Sequence, residues 1–209
     1  MSTETQPANR PVVTTFNLPN QLTALRLILS VVLFVLIAGE WYLFSLVMFI
    51  VAAGTDWLDG YYARKYNQVT TLGRILDPFA DKVIICGTFI FLAAVPAMYH
   101  SPFGLKAWMV VVIVGRELLV TALRSFIEDR GADFSAKMAG KLKMVVQCLA
   151  AGVGLFYLHY PVGMVDNIPV VQAPDWCSWL LAVSVWSAVV LTVYSGVGYI
   201  VAAVKLLRA

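Results

Sequence analysis

The sequence predicts an all-α integral membrane protein, six transmembrane helices with a polar metal site at the cytoplasmic side of the bundle. Three observations predict it. Of 209 residues, 60% are hydrophobic and 13% charged, and the mean hydropathy is +0.80. An ordinary soluble domain is about half apolar and about a quarter charged. Six apolar stretches are each long enough to cross a hydrocarbon core, which takes about 20 residues. Four of the 12 acidic residues crowd at the end of the second stretch and the start of the third. A single water-soluble domain of this size could not hide so much apolar surface. Disorder is excluded as well, because hydrophobicity is high and the net charge is only +3.

Residues 1–16 are polar and contain Pro7 and Pro11. No apolar h-region follows a charged n-region, so a cleaved signal peptide is not expected. The segment reads as a disordered or interfacial cytoplasmic tail before a membrane domain over 17–209. Spans are expected at 21–38, 41–63, 75–98, 106–127, 139–157 and 176–204. The last is long enough to imply tilt or an extension into water. Only 38–40 separate the first two, which predicts a tight hairpin of helices. The proline-containing stretches 100–104 and 160–174 read as loops. No internal repeat is visible, so an inverted-repeat transporter gains no support.

Basic residues set the orientation. Arg10, Arg26, Arg64, Lys65, Arg74 and Lys82 fall on one side, as do Arg124, Arg130, Lys137, Lys141, Lys143, Lys205 and Arg208. The opposite side holds only Lys106, with Glu40, Asp166 and Asp175. The positive-inside rule then places both termini in the cytoplasm, and an even number of spans agrees. A pI of 8.8 suits an anionic leaflet and does not imply nucleic acid. Cys86, Cys148 and Cys177 lie in apolar stretches without zinc spacing and read as small buried hydrophobes. Trp41, Trp176 and Trp179 stand where outer-interface anchors belong. His100 and His159 lie at outer ends, away from the acids.

The acidic cluster is Asp56, Asp59, Asp77 and Asp81. Spacings of three and four put each pair on one helix face. Asp56 lies fifteen residues from Trp41, about 22 Å at ~1.5 Å per residue. Asp81 lies seventeen from Met98, about 26 Å on the same rise. All four carboxylates therefore reach one level, just inside the cytoplasmic boundary. A lone carboxylate there is costly, and four together repel. Divalent cations relieve both penalties, and oxygen-only donors suit Mg²⁺, Mn²⁺ or Ca²⁺ over zinc. The alternative is plain ion pairing with Arg64, Arg74 and Lys82. Gly60, Ala63 and Gly73 between the pairs leave a slot for a flat ring, or allow close helix packing.

These residues read Asp56-Trp-Leu-Asp59-Gly60-Tyr-Tyr-Ala63-Arg64, eight residues, then Gly73-Arg-Ile-Leu-Asp77-Pro-Phe-Ala-Asp81. The pattern resembles the signature of the CDP-alcohol phosphatidyltransferases, and every fixed position matches with the right gap. The resemblance implies six transmembrane helices and transfer of a phosphoryl group from a CDP-linked donor to an acceptor hydroxyl, with CMP leaving. It implies that Asp56, Asp59, Asp77 and Asp81 hold two divalent cations, Mg²⁺ or Mn²⁺, and that Asp81 is the base. Asp59, Gly60, Ala63, Arg64, Gly73 and Asp77 would line the CDP site. Such chemistry is intelligible, because cations neutralise the diphosphate and a base in reach takes the acceptor proton.

The acceptor is read from other residues. Arg116 and Glu117 lie well inside the fourth span, Arg116 about 16 Å from its inner end at ~1.5 Å per residue. Arg124 follows two turns later on roughly the same face. A buried cation needs an anionic partner, either Glu117 and the aspartates or a bound phosphate; the phosphate pocket is preferred. The segment Gly115-Arg-Glu-Leu-Leu-Val-Thr-Ala-Leu-Arg124 is similar to bacterial phosphatidylglycerophosphate synthases of this family. So are Ala139-Gly-Lys141-Leu-Lys143 with Gln147, and the opening Asn17-Leu-Pro-Asn20-Gln-Leu-Thr23-Ala-Leu-Arg26. That likeness implies CDP-diacylglycerol as donor and glycerol 3-phosphate as acceptor. It implies Arg116, Arg124 and Lys141 on the acceptor phosphate, and Asn20, Thr23 and Arg26 on the donor side. It further implies a homodimer in a bacterial inner membrane. The alternatives are another acceptor, as in cardiolipin or phosphatidylinositol-phosphate synthases, and a divalent-cation carrier. A carrier wants its site near the midplane, whereas these acids crowd one boundary.

Overall fold

The first helix, α1 (Leu18–Ala38), ends where Gly39 and Glu40 turn the chain back. The amides of Gly39 and Trp41 bond the carbonyls of Val35 and Leu36, both at 2.9 Å. Glu40 takes a left-handed φ of 62°, so the reversal needs only three residues. The computed structural model describes residues 18–66, 71–128 and 138–208, with side chains at 21–55, 76, 78–127, 140 and 142–204. Beyond the turn run α2 (Tyr42–Tyr66), α3 (Thr71–Ala94), a short α4 (Pro96–His100), α5 (Ala107–Glu128) and α6 (Met138–Leu158). A hairpin of β1 (Val162–Val165) and β2 (Ile168–Val171) precedes α7 (Asp175–Arg208). Each expected span coincides with a helix of 21 residues or more.

Two local expectations are corrected. The third helix does not run unbroken to 98. Pro96 has no amide to donate and pushes the residue before it out of helical geometry. Val95 accordingly sits at φ −72°, ψ 120°, and a new five-residue turn begins at the proline. The stretch 160–174 is not all loop, because it contains the antiparallel pair Val162↔Val171 to Val165↔Ile168. Asp166 and Asn167 close it with φ of 51° and 62°. Two left-handed residues are what a two-residue hairpin turn requires, and Asp and Asn tolerate that region best after glycine.

Helices α1, α2 and α3 pack together, α6 lies along α7, and α5 joins α3 and α7. The core is apolar and continuous, built on Leu33, Phe49, Phe89, Ile113, Leu155 and Leu181, each 3% exposed or less. The outward faces are apolar too. Val35, Phe44, Val111, Val145, Trp179 and Val183 are each more than half exposed. Helices that are apolar all round belong in a lipid environment, and the chain associates with membrane. The apolar stretches Gln21–Ala38 in α1 and Asp175–Val204 in α7 are long enough to cross a bilayer, while Tyr42–Thr55 and Leu142–Leu158 are shorter.

One contact tests the packing directly. Gly87 on α3 faces the ring of Phe34, which stacks on Phe91 at 4.9 Å and 6°. A methyl group at position 87 would overlap that ring. Gly87→Ala should therefore destabilise the bundle by about 1–3 kcal/mol, the usual range for overpacking. The check is the thermal midpoint in detergent, and an unchanged midpoint would mean that the ring moves aside freely.

Candidate active site

Two expected site residues on α1 face inward. Thr23 is fully buried and Arg26, one turn on, is 1% exposed. Ser30 donates to the Arg26 carbonyl at 2.8 Å. The Arg26 guanidinium donates through Nη1 to Oδ1 of Asp81 on α3, whose side chain keeps 31% exposure. An arginine buried among apolar helices needs such a partner. The pair ties the first helix to the expected catalytic acid. Pro78, three residues before Asp81, interrupts the helical hydrogen bonding of α3, and Lys82 donates to its carbonyl at 3.2 Å.

Asp81 borders a cavity of about 360 Å³ between α3, α5, α6 and α7. Arg116, Glu117, Arg124, Lys143 and Tyr199 also line it. Arg116 is 10% exposed and tightly held. Its Nη2 donates to Oγ of Ser195, its Nη1 donates to Oε1 of Glu117 at 3.3 Å, and its guanidinium lies 5.3 Å from the Tyr199 ring centre. Glycine at 196 lets α7 come this close, since a Cβ there would stand 3.1 Å from Cγ of Arg116. Arg124 reaches the Tyr199 hydroxyl through Nη2 at 3.5 Å. Lys143 is 4% exposed and donates to the same Glu117 oxygen. Deeper, Gln147 donates to Oγ1 of Thr192 at 3.0 Å and fixes α6 on α7.

The Nε atoms of Arg116 and Arg124 are buried with no hydrogen-bond partner among the described residues. Arg116 pairs with Glu117 and, with Arg124, lines the cavity, where guanidinium groups suit an anion.

The structure pairs Arg26 with Asp81, buries Thr23 one turn before Arg26 on α1, and places Arg116 and Arg124 in the cavity that Asp81 borders. The side chains of Asn20, Asp56, Asp59, Gly60, Ala63, Arg64, Gly73, Asp77 and Lys141 lie outside the described residues. The backbone puts Asp56 and Asp59 on the last turns of α2, and Asp77 at the beginning of α3. Sequence reasoning had not assigned roles to Lys143, Ser195 or Tyr199. Lys143 was visible as a basic residue opening α6, two positions from Lys141. Ser195 and Tyr199 carry a fainter signal, since they are one turn apart but are two of several hydroxyl residues in α7.

Residues 16–194 match the family model described as CDP-alcohol phosphatidyltransferase. Over 202 residues the chain is 36% identical to the CDP-diacylglycerol--glycerol-3-phosphate 3-phosphatidyltransferase of Bacillus subtilis strain 168, covering 88% of this chain and 93% of that protein. A protein of the same name from Escherichia coli K12 is 35% identical over 167 residues, 68% of this chain and 86% of its own. Another from Salmonella typhimurium LT2 is 34% identical over 166 residues, with the same coverage.

Proposed function

The chain belongs to the CDP-alcohol phosphatidyltransferase family and is an enzyme of that class, and from that premise we propose that it makes phosphatidylglycerophosphate and CMP from CDP-diacylglycerol and glycerol 3-phosphate. The observation that carries the choice of acceptor is the cavity, which Arg116, Arg124 and Asp81 line together. A short phosphorylated alcohol fits that layout. Its phosphate goes to Arg116 and Arg124, and its hydroxyl is turned toward Asp81. Lys141, at the start of α6, is assigned to the same phosphate. The names of the relatives supply the same acceptor.

In this reading the acceptor hydroxyl attacks the phosphorus that carries the diacylglycerol. A new P–O bond forms, the bond to the CMP phosphate oxygen breaks, and the hydroxyl proton passes to the Asp81 carboxylate. Arg26 holds that carboxylate in place. Asp59, Gly60, Ala63, Arg64, Gly73 and Asp77 bind the CDP moiety, with Asn20, Thr23 and Arg26 supporting the donor side. The family is generally metal-dependent, and the donor set fits hard divalent cations, since it consists of carboxylates on two successive helices joined by only four residues, 67–70. Asp56, Asp59, Asp77 and Asp81 would hold two such ions, Mg²⁺ or Mn²⁺. When bound, they supply charge neutralisation to the diphosphate and the departing CMP.

We read all six long helices as membrane-spanning, with both termini and the site on the cytoplasmic side of a bacterial inner membrane. The basic residues crowding one set of helix ends support that topology. The homodimer implied by the resemblance belongs to the same proposal and is testable by cross-linking in vesicles. The decisive experiment supplies purified protein with CDP-diacylglycerol, Mg²⁺ or Mn²⁺, and a panel of acceptors. CMP release is expected with glycerol 3-phosphate. Release only with phosphatidylglycerol, an inositol phosphate or serine would move the protein to another acceptor class, and no release with any would overturn the reading.

A further inference from the structure

An anion pocket that contains a buried carboxylate asks for an explanation. Glu117 is 11% exposed and shares its Oε1 between Lys143 and Arg116. It thus occupies cationic hydrogen-bonding capacity that an acceptor phosphate could otherwise use. Among the described residues the lining holds the cations Lys82, Arg116, Arg124 and Lys143 and the carboxylates Asp81 and Glu117. Glu117 offsets one unit of the positive charge that Arg116, Arg124 and Lys143 would otherwise present to a phosphate monoester dianion.

The product is the second consideration. On the reading above, on which this inference rests, the phosphate monoester of the acceptor is not consumed. It leaves on the lipid product as the same dianion that entered. A pocket that gripped it as tightly as its cations allow would bind substrate and product alike. Binding that is equally strong in both lowers KM without helping turnover. It would also slow the departure of product, and product release often limits kcat.

We propose that Glu117 is the affinity limiter of the acceptor pocket, a built-in counter-anion that caps the grip on the phosphate dianion so that the phosphorylated product can leave. Lys143 is its positioned partner, held on Glu117 and away from full engagement with the ligand. The carboxylate also supplies a partner to the buried ammonium when the pocket is empty, which otherwise would be strongly destabilising.

The test is a charge ladder. Glu117→Gln keeps an oxygen that can accept from Lys143 but raises the interior charge by one. Glycerol 3-phosphate KM and kcat should fall together, and inorganic phosphate, used as a competitor, should inhibit about tenfold more strongly, a modest effect for one added charge in a partly desolvated site. Lys143→Gln should weaken phosphate inhibition. The double variant restores the original charge and should return phosphate inhibition close to that of the parent. Calorimetric binding of inorganic phosphate reads the same ladder without turnover and serves any variant with impaired catalysis. A purely structural Glu117 would instead raise KM when replaced, with the double variant no better than either single one. That outcome overturns the proposal. If Glu117→Gln does not survive purification, Lys143→Gln against the double variant decides alone, since only the limiter role makes the double bind phosphate more tightly than the single. A parent enzyme that never releases CMP with glycerol 3-phosphate would fail the functional reading, whereas an active parent with a flat ladder would fail only this one.

Discussion

Asp81→Asn should lower CMP release by about 10²- to 10⁴-fold, the range lost with a general base, and leave the bundle folded. The substitution is close to isosteric. The Asn amide oxygen can still accept from Nη1 of Arg26, so the tie between α1 and α3 keeps a hydrogen bond and the bundle stays folded. What disappears is the capacity to take a proton from the acceptor hydroxyl. Loss of charge at a proposed cation ligand adds to the effect, so raising Mg²⁺ or Mn²⁺ separates the two roles. A variant that recovers most of its activity at high metal concentration would assign Asp81 to metal binding alone. Activity within a few-fold of the parent at ordinary metal concentration would remove it from both roles.

Arg26 is 1% exposed, while Asp81 keeps 31%, so the arginine is the deeper charge of the pair. Breaking a buried pair costs most when the deeper charge loses its counter-charge. Asp81→Ala, which takes the carboxylate from the buried guanidinium, should therefore lower the thermal midpoint more than Asp81→Asn does.

The helices were legible in the sequence because a membrane helix declares itself by length and apolarity, without fine periodicity. The ends of the loops were less so. Val95–Pro96 was hidden inside an apolar run, and the proline signal was outweighed by hydropathy. The hairpin at 162–171 escaped because its strands are four residues each, too short for an alternation pattern. Its Asp166–Asn167 turn was the one available clue. The site was half legible for a similar reason. Charged residues in an apolar chain stand out, so Asp81, Arg116 and Arg124 were found from their type and position. Their neutral supports were not. Ser195 and Tyr199 fit an apolar helix without drawing notice, and only the packing of α7 on α5 reveals that they hold Arg116. Lys143 shows a third limit. Lys141 and Lys143 are two positions apart in sequence, and sequence alone gave no ground for preferring the one that meets Glu117.

Arg116→Gln should raise the KM for glycerol 3-phosphate by about 10- to 100-fold, the loss expected when a hydrogen bond to a charged group is removed. Arg124→Gln should act in the same direction. The donor side provides the internal control, because the KM for CDP-diacylglycerol should stay within a few-fold of the parent in both variants. Position matters as well as charge. Arg116 is fixed by Ser195, Glu117 and the Tyr199 ring, so Ser195→Ala removes an anchor but keeps the guanidinium. It should raise the same KM by less than Arg116→Gln does, with kcat little changed. Lysine at 116 restores the charge without the planar fork that satisfies two phosphate oxygens at once, so Arg116→Lys should recover only part of the loss. An unchanged acceptor KM in both Arg116→Gln and Arg124→Gln would argue that these arginines meet no ligand and serve the packing of α5 against α7. A loss confined to phosphorylated acceptors would tie the cavity to the phosphate itself, because an acceptor without one has nothing for those arginines to hold.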